Sequence, residues 1–413
     1  MTGTDLSTLD AWNGLTESLA KLPSSALQTA SAAQAVCAQE ADFDKACVWH
    51  RHMPGSELLL RERALRAMDA LLGSSATLTN IADDHGFDTI ASLDTALLQH
   101  FALTAWQIRR LPSELEFDLQ LPATFRVEET LQYLGRDPAS LAQRRSGERS
   151  VVAGVLVDAR PATLTMSFTG SDSLVARCSL TFRGNPPKRA AVTAAHLAGR
   201  LLGLPSSANA LQQRAQSEAL IARLIGPRRG LRLPLTASPM DALTWSILGQ
   251  QISLPFAYSL LRTCCELAGT RCPGGLRTMP SASRLADLTS ASLTSRKFSR
   301  AKSEYLRSLA GQVVDSTLNL DTLASGSAPH AKAKLLAARG IGPWTANYVL
   351  MRGFGFADCA PIGDAGLRRA LKRFLDLPSS PDDRAMEQHM EQFAPHRSLA
   401  TYHLWRGSDN ALD

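Results

Sequence analysis

At 413 residues the chain is too long for one ordinary compact domain, and two or three are expected. Its 45% hydrophobic and 20% charged content is that of a globular protein, and no run of about 18 uncharged apolar residues is present to cross a membrane. The net charge of +6 hides an asymmetry: residues 1–112 hold 8 Lys/Arg against 13 Asp/Glu, and residues 113–413 hold 36 against 25, so a polyanionic partner is expected at the second part.

The N-terminus carries Asp5, Asp10 and Glu17 and no basic region ahead of an apolar core, which speaks against a secretory signal or transit peptide and for a cytoplasmic protein. Residues 1–56, rich in Ala, Ser and Leu, predict one or two loose helices. Glu57–Leu72 has helical apolar spacing. Thr77–His85 predicts a second helix, broken by Gly86-Phe87, and Ser92 is placed to cap a third through His100. This is the outline of a helix-turn-helix.

Val151–Val157, Thr163–Phe168 and Leu174–Phe182 are β-branched or alternating runs, broken by Pro161 and Gly170-Ser171-Asp172. A helix over Arg189–Leu204, ended by Pro205-Ser206-Ser207, completes a small antiparallel α+β unit. Beyond it the spacing predicts helices near 217–225, 240–268, 299–313, 331–338, 344–354, 365–375 and 398–406, with no internal repeat. The expected fold is multidomain and mainly α, divided at 1–56, 57–112, 113–205 and 206–413. The cysteines at 37, 47, 178, 264, 265, 272 and 359 are odd in number and irregularly spaced. Reduced thiols are expected, not a disulfide framework or an iron–sulfur cluster.

The run IADDHGFDTIASLDTALLQHFALTAWQIRRL (81–111) resembles the second half of an AraC-type DNA-binding domain, which precedes a glycosylase in bacterial adaptive-response proteins. The presumed recognition helix, Ser92-Leu93-Asp94-Thr95-Ala96, has an Asp and no Lys or Arg, although groove-reading helices need such donors. A degenerate unit with a docking or vestigial role is expected. Cys37 and Cys47 cannot supply the four ligands of a methyl-accepting zinc centre, so no methyl transfer is expected from residues 1–56.

The richest segment is Leu335-Leu336-Ala337-Ala338-Arg339-Gly340-Ile341-Gly342-Pro343-Trp344-Thr345-Ala346. A helix ends at Gly340, a Gly-Ile-Gly hairpin follows, and Pro343 suits the first turn of the next helix. The N–H groups opening that helix are natural partners for a phosphate. A Gly-x-Gly hairpin alone also fits an ordinary helix–helix turn. Here it is followed by Arg352-Gly353-Phe354-Gly355-Phe356-Ala357-Asp358 and by Pro361-Ile362-Gly363-Asp364 at the head of a further helix.

Together these segments resemble the helix-hairpin-helix DNA repair glycosylases, in particular the alkylation-inducible DNA-3-methyladenine glycosylase II branch. The likeness spans roughly residues 114–413. It is also carried by Gly230-Leu231-Arg232-Leu233-Pro234, Ile247-Leu248-Gly249-Gln250-Gln251-Ile252-Ser253, Lys297-Phe298-Ser299-Arg300-Ala301-Lys302 and His403-Leu404-Trp405. The resemblance implies that the sheet unit is TATA-binding-protein-like and that Asp364 is the catalytic carboxylate. Asp364 equally suits a helix N-cap, and the two roles are compatible.

Cutting an N-glycosidic bond builds positive charge on the sugar, which a fixed carboxylate stabilises. Strand-cutting relatives use a Lys in the hairpin-proximal helix as a Schiff-base nucleophile; Trp344 stands at that place, and an indole cannot form an imine. A monofunctional enzyme that leaves an abasic site is therefore implied. Trp344, Tyr348 and Trp405 match the family's aromatic pocket, with Tyr133 contributing from the sheet unit, although each also suits core packing. Electron-rich rings attract the cationic ring of 3-methyladenine or 7-methylguanine.

Gly340, Ile341, Gly342, Thr345, Gln250 and Gln251 are implied DNA contacts. Gln251 takes the wedge position that fills the gap left by a flipped base, or is a surface helix residue. Gly363, Ala365 and Gly366 replace larger or acidic family residues, which implies a roomier pocket. The family hairpin binds a monovalent cation through carbonyls matching Leu336, Ala338 and Ile341; no other cofactor or metal is implied. Double-stranded DNA carrying alkylated bases is the expected partner, and a monomer the expected state. Three other readings are an AraC-type regulator with an inactive glycosylase body, a glycosylase for oxidised or deaminated bases, and a non-enzymatic scaffold on damaged DNA.

Overall fold

The computed structural model describes residues 6–35, 38–170, 174–205 and 208–409. Cys37 and the expected turn residues Ser171-Asp172 and Ser206-Ser207 lie outside them. The N-terminal residues form α1 (Leu9–Lys21), α2 (Thr29–Ala35) and α3 (Glu40–Arg51). Thr8 caps α1, which buries Trp12, Leu15 and Leu19; α3 buries Phe43, Ala46, Cys47 and His50. Both sets follow helical i, i+3/i+4, i+7 spacing and meet in one small core, where Trp12 stacks on His50 at 4.5 Å.

Next come α4 (Gly55–Gly73), α5 (Leu78–Asp84), α6 (Ile90–Phe101) and α7 (Ala105–Arg110). The cap of α6 is Thr89, not Ser92. Ser92 is the third helical residue and returns a bond to the Thr89 N–H, closing a capping box. The acidic residue of α6 is used inside the protein, since Asp94 Oδ1 accepts from Ala105 N–H at 2.7 Å and so secures the start of α7.

The sheet unit contains β1 (Glu116–Gln120), α8 (Val127–Leu134), β2 (Gln143–Gly147), β3 (Ser150–Val157), β4 (Arg160–Thr169), β5 (Val175–Phe182) and α9 (Ala190–Leu201). The strands are antiparallel in the order β1-β5-β4-β3-β2. The three central strands are those expected, and two unexpected edge strands join them. EFDLQ and QRRSG lack an apolar run, and β2 is charged and irregular between Arg145 and Gly147, as edges often are. Val151, Ala153, Val155 and Val157 line the buried face of β3, and α9 lies against the sheet through Ala190, Ala191, Ala194 and Ala198. One apolar core runs from Ala64 to Leu204, so the residues on both sides of position 112 pack together.

The rest is helical: α10 (Asn209–Arg214), α11 (Ala219–Ile225), α12 (Pro239–Gly249), α13 (Leu254–Ala268), α14 (Ala282–Ala286), α15 (Ser290–Thr294), α16 (Arg300–Val314), α17 (Leu320–Ser325), α18 (Ala328–Ala337) and α19 (Pro343–Tyr348). The chain then widens into a buried π-helical turn over Val349–Phe354, followed by α20 (Ala365–Phe374), α21 (Asp383–Glu391) and α22 (Arg397–Asp409). Two cores form here. One centres on α12, α13, α16, α18 and α19, the other on α11, α20, α21 and α22. No helix among the described residues is long and apolar enough to cross a membrane.

The sheet unit and the helical body dock through backbone. At Gly154 a Cβ would stand 2.2 Å from the Arg277 carbonyl, so only glycine admits that approach. Arg277 N–H donates to the Leu141 carbonyl at 2.8 Å, and Thr163 Oγ1 donates to Pro273 O at 2.6 Å.

The expected helix over 240–268 is two helices. Gln250 turns extended, Gln251 takes φ 53°, and α13 restarts at Leu254. The buried Lys302 ammonium pins this break, donating to the carbonyls of Ile247 (2.9 Å), Leu248 (3.0 Å) and Gln250 (2.7 Å). A cation at a helix C-terminus also meets the negative end of its dipole. Lys302→Met removes all three bonds and leaves buried carbonyls unpaired; a stability loss of about 2–4 kcal/mol is expected from urea unfolding, and a loss below about 0.5 kcal/mol would mean that water serves them instead.

Burial holds three histidines well below the usual 6.5: His52 at about 4, His100 at about 4 and His403 at about 3. They stay neutral in the fold, whereas the unfolded chain takes up their protons below about 6.5. Stability from this source is complete above 6.5 and falls as the pH drops toward 4. The urea midpoint is expected to be lower at pH 5 than at pH 7.5, with His403→Gln flattening the decline by up to about 1.4 kcal/mol per pH unit.

Candidate active site

The hairpin begins where α18 stops at Ala337, three residues earlier than the sequence suggested, because Ala338 is already extended. Gly340 has φ 92°, and a Cβ there would stand 2.5 Å from the Tyr305 ring, so glycine is required both for the turn and for the close approach. Ile341 is buried and anchors the loop, whereas Gly342 and Pro343 are exposed at the start of α19. Thr345 points inward and is 2% exposed. Its hydroxyl accepts from Gln250 Nε2 at 3.0 Å, and the same nitrogen donates to the Gly340 carbonyl at 2.9 Å. Gln250 thus ties the α12–α13 break to the hairpin, and its side-chain amide is used within the protein.

Gln251, the expected wedge, is exposed on that break. It is not a mid-helix residue: the turn projects it at left-handed φ. Leu254, 55% exposed, and Phe256, 36% exposed, follow it in the first turn of α13. Sequence reasoning passed over both; the signal was two large apolar residues in the first turn of a helix whose other face supplies the core.

Asp364 is the N-cap of α20, and its Oδ1 accepts from the Leu367 N–H at 2.7 Å. The indole of Trp344 donates to Oδ2 at 3.1 Å, and the indole of Trp405 donates to Oδ1 at 3.2 Å. Two tryptophans, one from α19 and one from α22, therefore converge on one half-buried carboxylate. Trp405 packs against both helical cores, which places the site at their seam. A Cβ on Gly366 would stand 3.0 Å from Asp364 Oδ1 and 3.6 Å from Trp405 Nε1, so the glycine leaves the carboxylate's flank open.

Tyr348 lies one helical turn after Trp344, with ring centroids 5.7 Å apart. Burial, reinforced by the negative charge of Asp364, pushes its phenol above the usual range and keeps it neutral. Behind Tyr348 a cavity of about 380 Å³ opens between the sheet unit and the helical body. Tyr133 is on its wall, as expected for a contribution from the sheet unit, but is bound up locally: its hydroxyl accepts from the Arg352 guanidinium, and it meets Tyr402 edge-on at 5.4 Å. Arg352, on the π-helical turn, is 2% exposed, and burial lowers its pKa to about 10. Trp245 and Tyr258 also line the cavity and were not anticipated, because their helix positions read as ordinary core.

Among the described residues no group of three His, Cys, Asp or Glu side chains is placed to hold a metal ion. The six described cysteines are free and buried, and burial together with Asp44 pushes the Cys47 thiol up to about 12, which disfavours a nucleophilic thiolate. The N-terminal helices buttress the approach to the site. His50 Nδ1 pairs with Ser327 Oγ at the start of α18 (2.8 Å), and His52 Nδ1 accepts from Asp358 N–H (3.0 Å). Asp358 is itself bidentate to Arg397, at 2.7 Å on each oxygen.

Residues 244–396 match the model of the HhH-GPD superfamily base excision DNA repair protein. The chain is 35% identical over 180 residues to a DNA-3-methyladenine glycosylase of Bacillus subtilis, covering 43% of this chain and 59% of that protein. It is 32% identical over 218 residues to a Mycobacterium tuberculosis protein named probable bifunctional transcriptional activator/DNA repair enzyme AlkA, covering 52% of this chain and 42% of that one. The chain thus spans less than two thirds of these relatives' length. The fold is similar to a 3-methyladenine DNA-glycosylase from Archaeoglobus fulgidus, with TM-score 0.62 and 19% identity over 70% of this chain and 97% of that one. The hairpin, the π-helical turn and Asp364 all lie inside residues 244–396, the segment that matches the model of the HhH-GPD superfamily base excision DNA repair protein.

Proposed function

We propose that the protein is a DNA glycosylase that hydrolyses the N-glycosidic bond of flipped-out alkylated purines of the 3-methyladenine and 7-methylguanine type in double-stranded DNA and leaves an abasic site. The observation that carries this reading is the Asp364 carboxylate, held by two indole N–H groups and a helix N–H beside the ring of Tyr348. The relatives' names point the same way, and two solved glycosylases of similar fold are described in complex with DNA.

In the reaction the C1′–N bond breaks and its electron pair goes to the departing base, which neutralises the alkylated ring. The positive charge left on the sugar faces the carboxylate, preorganised so that no reorientation is needed as the charge develops. Water then bonds to C1′, and its proton passes to Asp364 or to solvent. A cationic base is already a good leaving group, so no general acid is required.

A monovalent cation at the hairpin would be held by the carbonyls of Leu336, Ala338 and Ile341. Those of Leu336 and Ile341 accept no backbone hydrogen bond among the described residues, which suits such a ligand set. Its charge would favour a DNA phosphate there. Residues 57–112 act in this reading as a packing unit: Asp94 on α6 accepts from the first N–H of α7, and the segment shares the core of the sheet unit.

Release of free methylated purines from alkylated duplex is the direct test. Asp364→Asn is expected to lower single-turnover release at least about a hundredfold, a barrier rise of ~2.7 kcal/mol. Absence of release by the wild type, with salt-sensitive DNA binding retained, would favour a scaffold or regulator. Equal release by both proteins would keep the activity and dismiss Asp364. Because Trp344 stands where strand-cutting relatives carry a lysine, borohydride is expected to trap no protein–DNA adduct, and the product strand stays whole until alkali is added. A trapped adduct would show that another amine forms the imine.

A further inference from the structure

Arg136 follows α8 and is exposed on the rim of the cavity behind Tyr348. Its guanidinium lies 4.1 Å from the ring centroid of Tyr133, 5.6 Å from that of Trp245 and 6.0 Å from that of Tyr258. The rings come from three elements, α8, α12 and α13, and Trp245 and Tyr258 are themselves paired at 5.2 Å. All three line the cavity with Tyr348, whose other neighbour is Trp344 beside Asp364. Among the described residues no carboxylate lies within ion-pair distance of Arg136; the adjacent Asp137 is taken by Arg262 at 2.7 Å. What holds the guanidinium is the set of π-faces, through the same attraction that draws any cation to them.

We infer that Arg136 is a resident cation of the base pocket: it occupies the aromatic platform that a positively charged purine would use, and so sets specificity by competing with cationic bases but not with neutral ones. The identity of the competing ligand rests on the glycosylase reading above. The buried Arg352 guanidinium also stands 4.6 Å from the Tyr133 ring centroid, and a further positive charge meets repulsion from both arginines, so a cationic base must displace the exposed Arg136 side chain toward solvent. A neutral base stacks without meeting that opposition. The inference makes Arg136 a specificity-determining residue and assigns it no part in bond cleavage.

The test uses two soluble probes, 7,9-dimethyladeninium as a permanent cation and 9-methyladenine as its neutral counterpart, titrated against tryptophan fluorescence of the full chain. Arg136→Gln keeps most of the stem and removes the charge; it is expected to bind the cation at least about threefold more tightly than wild type, with the neutral probe unchanged. Arg136→Lys keeps the charge and is expected to resemble wild type. In duplex DNA the ratio of kcat/KM for 7-methylguanine over hypoxanthine is expected to rise by the same factor. Unchanged or weaker cation binding by Arg136→Gln would overturn the inference, and Arg136→Met provides the same reading if the first variant does not fold. Excision with no probe difference removes the competition and leaves the glycosylase. A probe difference with no excision leaves the competition and removes the glycosylase.

Discussion

A carboxylate that accepts three N–H groups has little freedom left, and the arrangement around Asp364 depends on that loss. The helix N–H of Leu367 and the indole of Trp405 both donate to Oδ1, and the indole of Trp344 donates to Oδ2 from a separate helix. Each tryptophan must itself be fixed. Trp344 is fixed by the hairpin that starts α19, and Trp405 by the seam between the two helical cores. The hairpin, the seam and the N-cap of α20 thus exist in one geometry or not at all. The charge stays half-exposed, where a sugar can approach it, yet its direction is set before any ligand arrives.

The second constraint is the link between the hairpin and the exposed Gln251. Gln250 donates one nitrogen to both Gly340 and Thr345, and Lys302 gathers the carbonyls at the end of α12. A buried ammonium is costly unless its donors are used, and here each is. The break that leaves Gln251, Leu254 and Phe256 exposed is thereby tied to the hairpin through Gln250. In the glycosylase reading proposed above, rigid elements of this kind would hold a base away from its stack.

The sheet unit is more than an appendage. Through Gly154 it lies directly on the loop of the helical body, and Tyr133 joins the buried Arg352 across the boundary. The cavity exists only because both bodies contribute walls. The N-terminal helices in turn touch α18 and the approach to Asp364 through His50 and His52.

Features written in local chemistry are legible in the chain alone. The Gly-Ile-Gly turn, Pro343 at a helix start, Asp364 at the head of α20, and the three central strands can be read because turn, cap and alternation signals act within a few residues. The edge strands β1 and β2 were not legible, since an edge needs no apolar run. Nor was the break at Gln250–Ser253, where a lysine 52 residues away in the chain supplies the bonds that end the helix. The sharing of one carboxylate by two tryptophans, and the place of Arg136 over Tyr133, Trp245 and Tyr258, emerge only on folding. Those contacts join residues far apart in the chain, and their geometry follows from how whole helices pack, which no spacing along a single segment encodes.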